Sequence, residues 1–67
     1  MASRINDFIF TVNTGTQYIF RGYIYDGILT KINILNMDYL PISEEEQNSY
    51  TLTSEESKAI YDGLIND

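Results

Sequence analysis

From Asp7 the chain alternates as an extended strand does: Phe8, Phe10 and Val12 fall on one side, Ile9 and Thr11 on the other. Asn13-Thr14-Gly15 breaks the run. A second run, TQYIFRGYIY, is closed by Asp26-Gly27, and a third, ILTKINIL, follows. Three β-rich runs separated by glycine-bearing turns predict an antiparallel meander over residues 1–36.

Register sharpens this, because a slip of one residue carries every side chain to the opposite face. A three-residue turn at Asn13-Thr14-Gly15, with glycine in the left-handed position, sets Phe10 opposite Tyr18 and Phe8 opposite Phe20. For the second turn, a two-residue Asp26-Gly27 loop with a regular ladder sets Phe20 opposite Asn33 and Arg21 opposite Ile32, mixing polar and apolar on both faces. A three-residue Tyr25-Asp26-Gly27 loop sets Ile24 opposite Ile28, Phe20 opposite Ile32 and Tyr18 opposite Ile34. The second choice gathers Phe8, Phe10, Val12, Tyr18, Phe20, Ile24, Ile28, Ile32 and Ile34 on one apolar face. Ile9, Thr11, Ile19, Arg21, Tyr23, Leu29, Lys31, Asn33 and Leu35 then share the other, with Arg21 between Asp7 and Lys31. That second face is mixed rather than polar: Ile9, Ile19, Leu29 and Leu35 with Tyr23 either form an exposed apolar patch of the kind that marks an interface or are isolated apolar residues covered in part by the chain's own tail.

The second half reads differently. Pro41 argues against continued central pairing, leaving at most an edge strand at 37–40. SEEE at 43–46 and TSEE at 53–56 both place a hydroxyl residue three positions before a glutamate, the capping-box spacing at a helix start. Only the second precedes enough apolar periodicity, with Ala59, Ile60, Tyr61, Leu64 and Ile65 as an inward stripe. The expectation is a helix over 54–66, one helical turn at 44–48, and a connecting loop over 37–53 in which SYTLT adds a short strand or none. Gly63, inside the helix, costs about 1 kcal/mol relative to alanine. Close packing on the sheet, early fraying or an early cap would each account for it. The predicted fold is therefore a single small α+β domain: an antiparallel meander of three strands, or four, with the C-terminal helix packed on its aromatic face.

Charge divides along the same boundary. Residues 1–36 carry Arg4, Arg21 and Lys31 against Asp7 and Asp26, a net +1. Residues 37–67 carry Asp38, Glu44, Glu45, Glu46, Glu55, Glu56, Asp62 and Asp67 against Lys58, a net −7. An overall charge of −6 on 67 residues disfavours direct nucleic-acid binding, whose affinity comes largely from neutralising phosphates. No cysteine or histidine is present, so disulfides, Cys/His zinc sites and histidine acid–base chemistry are excluded. The scattered glycines make no phosphate loop, and the consecutive glutamates lack the alternating ligands of a calcium loop. A non-enzymatic chain without cofactor or metal is expected. The opening MASRINDFIF has too short an apolar run for a signal-peptide core, no stretch reaches membrane-spanning length, and a cytoplasmic location is expected.

Two resemblances bear on function. FRGYIYDG, residues 20–27, resembles the strand with which RNA-recognition sheets stack bases, a basic residue and glycine followed by alternating aromatics. Ile24 stands where that pattern has a small residue, and the strand ends at Asp26-Gly27. What remains is a single-strand platform of Arg21, Tyr23 and Lys31. In size, acidity and lack of cysteine the chain is also similar to virus-encoded inhibitors of host nucleic-acid enzymes, including DNA mimics and anti-CRISPR proteins. That likeness implies an acidic protein–protein interaction module presenting Asp38, Glu44, Glu45, Glu46, Glu55, Glu56 and Asp62 to a basic partner protein, in a host cytoplasm. Arg21, Tyr23 and Leu29 would add contacts from the mixed sheet face. The alternatives are a homo-oligomeric assembly subunit that dimerises through that face, and the single-strand binder.

Overall fold

A computed structural model describes residues 2–66. Strands β1 (Ser3–Thr11), β2 (Gln17–Tyr25) and β3 (Ile28–Leu35) form an antiparallel sheet in the order β1-β2-β3. A single helical turn α1 (Glu44–Gln47) and the helix α2 (Ser54–Asn66) follow. The predicted α+β meander with a terminal helix is present, with three strands; residues 37–40 and 49–53 form none.

The first hairpin has the predicted register, Phe8 opposite Phe20 and Phe10 opposite Tyr18. Val12 N–H donates to Thr16 O, Gly15 N–H donates to Val12 O, and Gly15 takes φ +89°, a conformation cheap only for glycine. The second hairpin departs from expectation. Asp26 (φ 54°) and Gly27 (φ 79°) form a two-residue turn, with Tyr25 opposite Ile28 and Ile24 opposite Leu29. Two positive φ values in an Asp-Gly pair are those of the type I′ turn, whose twist matches that of the strands it joins. The register then shifts, so that Tyr23 lies opposite Lys31, Arg21 opposite Asn33 and Phe20 opposite Ile34. Thr30 is the extra residue of a β-bulge, and its hydroxyl donates to Tyr23 O at 3.0 Å.

One inserted residue thus restores the apolar face that a regular two-residue hairpin would have scrambled. The two-residue turn itself exchanges the expected places of Ile28 and Leu29. Leu29 turns to the helix side and packs against the core, while Ile28, expected in the core, is 65% exposed. Lys31 is opposite Tyr23 rather than beside Arg21.

The core is built on the aromatic face from Val12, Tyr18, Phe20, Ile60 and Leu64, joined by Ile42 and Tyr50 of the connecting segment. Thr53 and Glu56 form a complete capping box at the start of α2: Glu56 N–H donates to Thr53 Oγ1 at 3.1 Å, and Thr53 N–H donates to Glu56 Oε1 at 2.9 Å. The inward stripe of α2 is narrower than its apolar pattern suggests. Ile60 and Leu64 are buried, whereas Tyr61 and Ala59 are exposed.

Small residues let the helix approach closely. A β-carbon on Gly63 would lie 2.5 Å from Phe8 Cδ1, so of the three accounts of this glycine, close packing on the sheet holds. Gly22, in the middle of β2, serves the same contact from the other side, where a β-carbon would lie 2.9 Å from Leu29 Cδ1 and 3.2 Å from Leu64 Cδ1. Gly22 of the FRGYIYDG stretch is therefore a packing residue beneath α2.

Candidate functional site

The helix covers one face of the sheet, and the chain's own loop covers part of the other. After β3, Asn36 closes a tight reversal: its Oδ1 accepts from Asp38 N–H and Leu40 N–H, and its own N–H donates to Leu40 O. This Asx-type turn returns Pro41 to a bridge with Leu35 and lets Ile42 N–H donate to Ile34 O. At that end of the open face Ile19 and Leu35 are buried. Tyr39, held at φ 65° within the reversal, brings its ring centroid 5.7 Å from Arg21 Cζ.

Arg21 is anchored from the opposite side as well. Its Nε and Nη2 donate to the two Asp7 carboxylate oxygens at 2.8 and 2.9 Å, the cross-strand pair that the register predicts. The guanidinium hydrogen bond holds the Asp7 carboxyl below its usual value, against a weaker upward push from burial, and Asp7 in turn raises the Arg21 pKa. Tyr23 is half-buried on the same face, its hydroxyl accepting from Asn33 Nδ2 and its ring centroid 5.5 Å from Lys31 Nζ. Arg21, Tyr23 and Lys31 do lie on one face, but each cation is already held against an aromatic ring or a carboxylate of this chain.

Beyond Tyr23 the face is open and apolar. Ile5 of β1, opposite Tyr23, is 56% exposed, and Tyr25 and Ile28 flank the turn with comparable exposure; Ile9, 53% exposed, lies at the other end of the face opposite Ile19. A shallow hollow of about 490 Å³ lies here, lined by Ile5, Tyr23, Tyr25 and Thr30 among others. Leu29 is not part of this surface, because the two-residue turn sets it opposite Ile24 on the core side. Ile5, Tyr25, Ile28 and Tyr39 are the residues that pattern reasoning missed. Asn36 and Pro41 were the available signal for the reversal that places Tyr39.

The carboxylates divide into engaged and exposed. Glu46 accepts from Tyr18 OH at 2.7 Å, and this bond, with lesser contributions from burial and the Glu46 charge, raises the Tyr18 pKa. Burial, followed by the same glutamate's charge, raises Tyr50, whose ring centroid lies 5.1 Å from that of Tyr18. Glu56 is held in the capping box. Asp38, Glu44, Glu45, Glu55 and Asp62 are exposed. Glu44, Glu45 and Glu46 lie in the first turn of α1, and Glu55 and Glu56 in that of α2, where carboxylates favour the helix dipole. Among the described residues no three carboxylates converge as a metal ion would require, and no helix is long and apolar enough to cross a membrane. In comparisons of the chain with protein-family models, curated proteins and solved structures, nothing matches.

Proposed function

We propose that this chain is a small protein–protein interaction module of inhibitor or regulator type, whose contact surface is the open end of the sheet. The observation that carries the reading is the exposure of Ile5, Tyr25 and Ile28 beside Tyr23 on a face that the helix does not cover. Contiguous exposed apolar and aromatic groups of this kind are what a partner desolvates to gain affinity, and rings are favoured anchors. The exposed carboxylates Asp38, Glu44, Glu45, Glu55 and Asp62 suit a basic partner, where complementary charge speeds encounter and rejects wrong surfaces. An inhibitor acting as a nucleic-acid mimic is the finer form of this proposal, with those carboxylates occupying sites built for phosphate. Glu46 and Glu56 would contribute less, being tied to Tyr18 and to the start of α2.

The test is affinity capture from the native or host extract at two salt concentrations, comparing the wild-type chain with Tyr25→Ser/Ile28→Ser and with Glu44→Gln/Glu45→Gln/Glu55→Gln. A specific partner should be lost in the first variant, and in the second it should be captured more weakly and with less salt dependence. Equal capture by all three chains would refute the assignment of the surface.

A further inference from the structure

We propose that the free edge of β1 pairs with β1 of a second copy of this chain, antiparallel and about a two-fold axis at Asp7, so that Ile5 of each copy lies opposite Ile9 of the other. The inference concerns an edge rather than the open face, and its test uses the purified chain alone, so it stands or falls independently of any heterologous partner.

The direction of the backbone groups follows from the first hairpin. Val12 N–H donates to Thr16 O, and Ala2 O accepts from Asp26 N–H. In an antiparallel ladder, residues whose backbone groups point to the neighbouring strand alternate with residues whose groups point away. The even-numbered residues of β1 therefore face β2, and Ser3, Ile5, Asp7, Ile9 and Thr11 direct their N–H and C=O groups to the outer edge.

The two edges of the sheet are treated differently. Along β3 the ladder is broken by the bulge at Thr30, Lys31 is exposed, and Pro41 and Ile42 sit against Leu35 and Ile34. These are the devices by which edge strands are kept from pairing. The nine residues of β1 contain no proline, lysine or glycine and pair with β2 without a register shift. Its exposed charge at position 4 is turned inward, Arg4 Nη2 donating to Ile65 O at 2.6 Å.

A second copy fits this edge by sequence and by charge. With Asp7 on the axis, all five outward-facing residues find partners: Ser3 opposite Thr11, Ile5 opposite Ile9, and Asp7 opposite itself. The exposed isoleucines meet in pairs on the open face, where directly opposed apolar side chains stabilise a sheet. Each Asp7 already carries its own Arg21, so the row across the joint reads Arg21, Asp7, Asp7, Arg21 and is neutral. A chain of net charge −6 repels its copies over most of its surface, but β1 contributes one arginine and one aspartate. It is the stretch along which the one like-charge meeting, Asp7 opposite Asp7, is compensated by an Arg21 on each side.

Sedimentation equilibrium from micromolar to millimolar concentration should show a monomer–dimer equilibrium that stops at two. Over the same range, the amides of Ile5, Asp7 and Ile9 in the wild-type chain should gain protection from hydrogen exchange as concentration rises. Ile5→Lys/Ile9→Lys places lysine opposite lysine and should raise the dissociation constant at least tenfold, whereas Ile5→Lys/Ile9→Glu places opposite charges together and should dimerise near the wild-type level. Both positions are exposed in the monomer, and circular dichroism checks that the variants fold. A monomer at all concentrations, concentration-independent exchange at those amides, a dimer unaffected by the lysine pair, or equal disruption by both double variants would each overturn the proposal. So would an extended peptide of another protein occupying this edge while the chain alone stays monomeric.

Discussion

Gly63→Ala separates local propensity from packing. In an exposed helix interior the change should stabilise by about 1 kcal/mol, because alanine loses less backbone entropy. In this chain the new β-carbon would lie 2.5 Å from Phe8 Cδ1 and 3.2 Å from Cζ. Ordinary carbon–carbon contact begins near 3.5 Å, so the ring must retreat by about an ångström. It cannot do so freely. Phe8 stacks on Phe10 at 6.5 Å, and Phe10 meets Phe20 edge-on at 6.4 Å, so displacement is passed along the aromatic row. Overpacking of this kind costs about 1–3 kcal/mol, and after subtraction of the propensity gain the net change runs from near zero to about 2 kcal/mol destabilising.

A double-mutant cycle makes the test decisive. Phe8→Val removes the ring atoms that obstruct the methyl group while keeping a strand-forming residue. In that background Gly63→Ala should recover its stabilisation of about 1 kcal/mol, giving a coupling energy of about 1–3 kcal/mol between the two positions. Urea denaturation followed by far-ultraviolet circular dichroism measures all four stabilities. Equal stabilisation by Gly63→Ala in both backgrounds would mean that α2 stands clear of Phe8, and the packing account of this glycine would be wrong.

Thr53→Ala removes the hydroxyl half of the capping box and should cost about 1 kcal/mol, or about 4–8 °C in Tm for a domain of this size, while Thr53→Ser should stay close to wild type; equal melting temperatures for the three chains would refute the cap. The hydroxyl of Tyr18 titrates higher in the folded chain than its ordinary 10.0, so the folded state holds this proton more tightly than the unfolded. Its contribution is complete below pH 10 and declines as pH rises through the folded value. Urea midpoints measured from pH 8 to 11 should therefore fall less steeply in Tyr18→Phe, leaving the part due to Tyr50; parallel curves for variant and wild type would remove Glu46 from the account.

The two hairpins show what a linear pattern can and cannot specify. Asn13-Thr14-Gly15 could be read because its glycine position, its length and the alternation of Phe8, Phe10, Tyr18 and Phe20 all require one register. Asp26-Gly27 satisfied its turn chemistry at two residues and its face pattern at three, and the molecule meets both demands by adding Thr30 further along. A bulge carries little signal of its own, since any residue can be the one left unpaired. The capping boxes were legible because they are local, and the one at Thr53 closes as its spacing implies. At Ser43 the hydroxyl accepts from Glu46 N–H, but the Glu46 carboxylate goes instead to Tyr18, 28 residues away. No local spacing announces a contact of that kind.

The bulge also decides the composition of the candidate surface. Without the bulge, with Thr30 paired opposite Tyr23 in a regular ladder, a two-residue turn would keep Leu29 and Ile28 where they are but carry Lys31 and Asn33 to the core side and Ile32 and Ile34 to solvent. With it, the apolar residues at 32 and 34 pack beneath α2, while Lys31 and Asn33 hold Tyr23 on the open face. Beyond the bulge the ladder again matches the alternation that suggested a stacking strand. Before it, Ile28 and Tyr25 face outward in place of Leu29, so the surface near the turn is more aromatic than the sequence implied. Such a surface gains affinity from desolvation rather than from phosphate neutralisation, and this is the ground on which we propose a protein partner rather than a nucleic-acid strand.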